Sequence, residues 1–214
     1  MGGISLVVFD VGSVLVEAGR TLADDIALAG FVIEPAWLAD FESRLHAHPS
    51  PNVGAIAMDR YFDLFAELSF GRFTPGDARH IVQSGLVREH EGVVRVFDAL
   101  DVASIESALL SNINEAEWTR MFPVDGVMSE FPSLRRARYR FASYLIGATK
   151  PRPEAFHAVE QGTDRKPDQI LFFDDLPANV AAARDRGWAS ELIDHRGDTV
   201  AQLLAWLRHH EVIC

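Results

Sequence analysis

The chain has 214 residues, with 20 basic and 31 acidic side chains and a formal net charge of −11. That length suits one domain, or one core carrying a smaller inserted module. A hydrophobic content of 48% with 24% charged residues excludes a disordered chain. The acidic balance argues against nucleic acid or an anionic membrane as partner. Cys214 is the single cysteine, so no intrachain disulfide can form, which suits a reducing compartment. No run reaches the roughly 18 apolar residues a membrane span needs. The start of the chain lacks a basic stretch and is interrupted by Asp10, so it does not read as a signal peptide. A cytoplasmic protein is expected.

In chain order, residues 4–9 (ISLVVF) form the first strand candidate, continuous rather than alternating, as expected of a strand covered on both faces of a parallel sheet. About 95 residues separate it from the next candidate, 105–110 (IESALL), far more than an ordinary crossover needs. Most of that interval reads as helix, over 22–28, 35–45, 56–68 and 75–87, with breaks at Gly30, at 48–52 (HPSPN) and at Gly71. This divides the chain into a core at 1–18 and 89–214 and a helical insert at 19–88. Within the core, 93–100 has the apolar spacing of a helix, and 141–146 is a weaker strand candidate. Helix 153–161 has Pro153 at its start. Strand 170–173 (ILFF) leads into a helix over 177–186, bounded by Pro177 and Gly187. A weak strand at 191–193 and a helix at 199–209 follow. Strands alternating with helices predict an α/β fold with a doubly wound, Rossmann-like parallel sheet. The run Arg135, Arg136, Arg138, Arg140 reads as a solvated face.

Several residues at the strand ends can carry chemistry. Asp10 ends the first buried strand, where a carboxylate is costly unless paired or metal-bound and where ligands bind in open α/β sheets. Asp174 and Asp175 end the strand at 170–173; two adjacent carboxylates exceed what capping the next helix requires and repel unless a cation lies between them. If those strands are neighbours, the three carboxylates offer the hard oxygens of a Mg²⁺ site completed by water and substrate phosphate. The chain has 18 arginines and two lysines, so Lys150 in TKPRP suggests a need for a compact point charge. Ser111 and Asn112 end the second strand with a hydroxyl and an amide; a helix-capping role explains them equally well.

Together these residues resemble the haloacid dehalogenase-like hydrolase superfamily. The motifs occur in order as FDVGSVL from Phe9, LSN from Leu110, Lys150-Pro151, and FFDD from Phe172 with Asn179. The stretch from Ile170 to Gly187 looks like the helical-cap (C1) branch that includes sugar-phosphate phosphatases and the N-terminal phosphatase domain of soluble epoxide hydrolase. The resemblance implies that Asp10 is a nucleophile forming an aspartyl-phosphate. It further implies that Mg²⁺ is bound at Asp10, the Gly12 carbonyl, Asp174 and Asp175, with Asn179 in support. Ser111 and the Asn112 backbone would hold phosphate oxygens, and Lys150 would neutralise the nucleophile and the phosphoryl group. The insert at 19–88 takes the place of the family's helical cap. Glu17, His46 and His48 could face the cleft, although the two histidines read as surface residues.

The sequence departs from that pattern at one position. The family's phosphatases usually carry an aspartate two residues after the nucleophile as general acid and base; here it is Gly12. Such help is worth about 10²–10⁴-fold, so most of the catalysis could survive. The expected function is Mg²⁺-dependent hydrolysis of a small phosphorylated metabolite, by a monomer or homodimer with no nucleic-acid or membrane partner. Two alternatives stay open: a metal-free 2-haloacid dehalogenase, and a non-catalytic metabolite-binding relative.

Overall fold

The computed structural model describes residues 3–124 and 127–214. Met1, Gly2, Asp125 and Gly126, which fall within the expected core segments, lie outside them. Strand β1 (Leu6–Phe9) is followed by a short strand, β2 (Val16–Ala18), then by helices α1 (Leu22–Leu28), α2 (Pro35–His46), α3 (Met58–Leu68) and α4 (Pro75–Ser84). The chain returns through β3 (Leu86–Glu89) to α5 (Val94–Ala103), β4 (Glu106–Ser111) and α6 (Glu115–Met121). It continues as β5 (Tyr139–Ala142), α7 (Ser143–Ile146), α8 (Pro153–Thr163), β6 (Ile170–Asp174), α9 (Pro177–Asp185), β7 (Ala189–Leu192) and α10 (Thr199–His209).

Five of these strands form one parallel sheet in the order β5-β4-β1-β6-β7. The chain leaves β1 toward β4 and β5 and then crosses to β6 on the other side, so the switch point lies at the carboxyl end of β1. Both faces of the sheet are covered. Leu6 and Val8 of β1, Ala108 and Leu110 of β4, and Ile170 and Phe172 of β6 pack with Phe156, Val159, Ala183 and Trp188. The alternate residues Val7, Phe9, Leu109, Leu171 and Phe173 join Phe97, Leu100, Leu203 and Leu207 on the opposite face. Burial on both sides removes the polar half of the period-2 pattern, so β1 and residues 170–173 of β6 are continuously apolar.

Helices α1–α4 surround their own cluster, in which Phe41, Phe62, Phe65, Phe73 and Ile81 are buried together with Ala116 from α6. Thr21 and Thr74 begin α1 and α4 with reciprocal capping boxes to Asp24 and Asp77. These helices are tied to the rest of the chain through the antiparallel pair β2–β3, among other contacts. Residues 52–54 also approach α7 closely: Ser143 Oγ donates to the Asn52 carbonyl at 2.6 Å, and a Cβ at Gly54 would lie 2.5 Å from the Tyr144 carbonyl. Gly54 also has φ 65°, so glycine is required twice over.

The expected helix at 75–87 ends at Ser84, because Leu86–Glu89 instead pairs with β2. The weak strand expected at 141–146 is displaced to Tyr139–Ala142, followed by α7. In the arginine run, all four residues are exposed, and Arg136 pairs with Asp98 and Asp101 and Arg138 with Glu106.

Phe156 anchors the α8 side of the sheet through edge-on contacts with Phe172 and Trp188, at centroid distances of 5.9 and 5.4 Å. We expect Phe156→Ala to cost about 3–5 kcal/mol, measured by urea denaturation with an unchanged slope.

Candidate active site

Parallel register assembles the site. Phe9 pairs with Phe173, and the Asp10 N–H extends the ladder by donating to the Phe173 carbonyl at 2.8 Å. Asp10 therefore stands beside Asp174 at the ends of adjacent strands, about 4.8 Å apart in the hydrogen-bonding direction. Both continue the parity of the residues facing Phe156, and the segment preceding α8 delivers Lys150 to that same side. Its ammonium donates to Asp10 Oδ1 at 2.6 Å and to Asp174 Oδ2 at 2.7 Å. The Lys150 side chain is 1% exposed and that of Asp174 0%.

Asp174 is braced on all sides. Its Oδ1 accepts from the Leu176 N–H at 2.8 Å, and Asn179 Nδ2 lies 3.0 Å from each of its oxygens. Asn112 clamps the lysine segment, donating to the Lys150 carbonyl at 2.9 Å and accepting from its N–H at 2.8 Å. Oxygens of Asp10, Asp174 and Asp175 all lie within 4.8 Å of one another. On the outer side, Arg20 pairs with Asp175 and donates to Ser13 Oγ at 3.2 Å. Ser13 itself has φ 63°, an uncommon conformation for a residue with a side chain, which places a tight turn directly after Asp10.

Burial raises the Asp10 carboxyl to about 7; Lys150 opposes the rise, and Asp174 and Asp175 reinforce it. Burial also works against the Lys150 ammonium, yet Asp10 and Asp174 hold it above its ordinary value. The two groups are thus coupled: Asp10 and Asp174 favour the charged Lys150, and Lys150 opposes the rise that burial and the neighbouring carboxylates impose on Asp10.

A cavity of about 240 Å³ opens onto these residues, lined by Asp10, Gly12, Ser111, Asn112, Lys150 and Asp175. The expected site residues Asp10, Gly12, Ser111, Asn112, Lys150, Asp174, Asp175 and Asn179 therefore lie around one place, with Asp174 just beneath its floor. Ser111 is buried at the end of β4. Glu17 pairs with Arg88 on the β2–β3 pair. His46 and His48 are exposed and line the rim of a second, larger cavity of about 620 Å³. Arg20, Asp25 and Glu117 line both cavities and were not anticipated. For Glu117 a signal existed, since Asn114 and Glu117 form a capping box at the start of α6; Arg20 and Asp25 have no local signature.

The oxygens fit a small divalent cation. Two bonds of about 2.0–2.1 Å to one Mg²⁺ hold their oxygens at most about 4.2 Å apart, so a group within 4.8 Å needs only a small shift or one bridging water. The donors are hard carboxylate oxygens, which suit Mg²⁺, and Gly12 lines the same cavity.

Comparison with known proteins agrees with this picture. No family model matches the chain. A curated protein, Phosphatase MT3486 of Mycobacterium tuberculosis, is 38% identical over 58 residues, a match that spans only 27% of each chain. A solved HAD-like family hydrolase of Porphyromonas gingivalis superposes with a TM-score of 0.77 at 22% identity, over 97% of this chain and 99% of that one. A HAD family enzyme of Bacteroides thetaiotaomicron gives 0.73 at 21% identity, over 92% and 97%, and has also been crystallised with magnesium and inorganic phosphate. With its five-stranded parallel sheet, its inserted helices and its motifs at the strand ends, the chain has the fold of the haloacid dehalogenase-like hydrolase superfamily.

Proposed function

We propose that the chain is a Mg²⁺-dependent phosphatase that hydrolyses a small phosphorylated metabolite through an aspartyl-phosphate on Asp10. The observation that carries this reading is the convergence of Asp10, Asp174 and Asp175 within 4.8 Å beside the buried ammonium of Lys150. The magnesium–phosphate complex of the Bacteroides enzyme and the phosphatase name of the mycobacterial relative support it.

In this reading Asp10 attacks phosphorus with a carboxylate oxygen, and the bond from phosphorus to the leaving oxygen breaks. Lys150 keeps Asp10 ionised for the attack and offsets charge on the phosphoryl oxygens. The Ser111 hydroxyl and the Asn112 N–H supply neutral donors to those oxygens, while the Asn112 amide keeps Lys150 in place. Asp10, Asp175 and the Gly12 carbonyl hold the cation; Asp174, occupied by four hydrogen bonds, orients Lys150 and supports the set. When bound, magnesium compensates the charge of the phosphoryl group and fixes its orientation. Residues 19–88 act as a cap over the core at 1–18 and 89–214, enclosing the leaving group and excluding water. A cavity of about 240 Å³ and a net charge of −11 suit a small metabolite in the cytoplasm rather than nucleic acid or membrane.

Two outcomes test the reading. Asp10→Asn is expected to lower phosphate release from a responsive ester by about 10⁴-fold or more, and chelation is expected to abolish it until Mg²⁺ is restored; turnover by Asp10→Asn or in excess chelator sinks the mechanism. Lys150→Met leaves two buried carboxylates without their cation, a loss of about 3–5 kcal/mol at neutral pH. That deficit shrinks as pH falls, because the orphaned carboxyls take up protons. Denaturation at neutral and acidic pH measures it.

A further inference from the structure

Asp25 occupies a place built for its carboxyl group. It projects from α1, and a Cβ at Gly19 would lie 2.1 Å from its Oδ1, while one at Gly85 would lie 2.8 Å away. Neither glycine has a positive φ, so what both positions reserve is space for this carboxyl. Among the described residues, buried Oδ1 has no hydrogen-bond partner. The same side chain lines the cavity that holds Asp10, Lys150 and Asp175, and it also lines the adjoining larger cavity on the side of the inserted helices. It thus borders both the cavity of Asp10, whose loop carries Gly12 with no proton to give, and the cavity lined by the inserted helices.

Resting on the phosphatase reading above, we propose that Asp25, supplied by the inserted helices, is the catalytic acid and base that Gly12 cannot be. In the first step Asp10 forms a bond to phosphorus, the bond to the leaving oxygen breaks, and Asp25 gives its proton to that oxygen, releasing an alcohol. In the second, the Asp25 carboxylate takes a proton from water as the water oxygen bonds to phosphorus. The bond to Asp10 then breaks and inorganic phosphate leaves, with Asp25 protonated again. No other reactant is needed.

The electrostatic surroundings suit both halves of that cycle. Burial, reinforced by Asp24 beside it on α1, raises Asp25 to about 6, near the working range of a group that must give and then take a proton. Across the cavity, Glu117 of α6 is lifted to about 8, chiefly by burial and further by the Asp25 charge. Tyr61 of α3 is raised to about 12 by burial, with Glu117 and Asp25 adding to it. Arg20 is the nearby cation, and its guanidinium is taken up by Asp175.

Asp25→Asn in the full chain, assayed with Mg²⁺ on two esters, tests the assignment. Glycerol phosphate has a basic alkoxide leaving group that needs a proton, whereas p-nitrophenyl phosphate does not. The variant is expected to lose about 10²–10⁴-fold in kcat/KM on the alkyl ester. On the aryl ester it should keep kcat/KM and release a burst of nitrophenol, followed by slow turnover with phosphate retained on Asp10, detected by mass spectrometry. Gly19→Ala, whose methyl group displaces the carboxyl, should reproduce the same selective loss and guards against a folding defect in the first variant. Equal losses on both esters without a burst, or no loss on either, overturn the role of Asp25. If the unaltered chain releases phosphate from neither ester nor from any other phosphate ester, the phosphatase reading falls first and this assignment with it.

Discussion

One ammonium group holds the centre of this molecule together. Lys150 lies almost wholly out of solvent between Asp10 and Asp174. Removing charges from water costs several kcal/mol per ion, recovered only where geometry is good and the remaining valences are filled. Here they are filled: Asn112 fixes the lysine backbone, and Asn179 with the Leu176 N–H fills the oxygens of Asp174. An arginine would not do the same, because a planar fork is poorly matched to single oxygens on two different strands. Lys150 also lies 5.3 Å from the Phe172 ring centroid, so the strand that supplies Asp174 also supplies an aromatic face to the cation.

How much of this was legible in the chain follows from what covers each segment. Strand β1 and residues 170–173 of β6 are buried on both sides, so they announce themselves as apolar runs, and the acidic residues that follow stand out against them. Their adjacency is only a condition of the sequence reading, since nothing local states that β6 lies beside β1. Strands β2 and β3 left no such trace. They are three and four residues long and partly exposed, and Leu86 and Val87 continue the apolar spacing of α4, so the helix was extended through them. Gly85, which ends that helix, lies inside the helix that the sequence predicts over 75–87; its closeness to Asp25 exists only after the chain has returned from 60 residues away. Arg20 and Asp25 were missed for the same reason, because their positions depend on how the inserted helices settle and on nothing in their neighbours.

The inserted helices are joined to the sheet in a way that bears on chemistry. They have a core of their own, and the connections include the β2–β3 pair, the contact of residues 52–54 with α7, and Arg120 of α6 donating to the carbonyls of Gln83 and Leu86. Ala116 of α6 enters their cluster directly. Since α6 starts just after Ser111 and Asn112, the segment that ends one site strand also supports the inserted helices. Position of the helices and shape of the site are therefore coupled through α6, and small shifts of one alter the mouth of the other.

Charge balance then bears on what can enter the site. Asp10, Asp174 and Asp175 bring three negative charges against one from Lys150 and one from Arg20, leaving an excess of one negative charge before any ligand arrives. A phosphate dianion meeting that excess is repelled within a cavity where water screens little. Under the phosphatase reading, a divalent cation held by Asp10, Asp175 and the Gly12 carbonyl would supply the positive charge that a dianion needs there. Asp25 and Glu117 do not disturb this balance while protonated, and a proton lost from Asp25 to the leaving group returns negative charge only when the alcohol departs. A carboxyl at that spot that burial lifts to about 6 is protonated more often than an exposed one, and so opposes an entering dianion less.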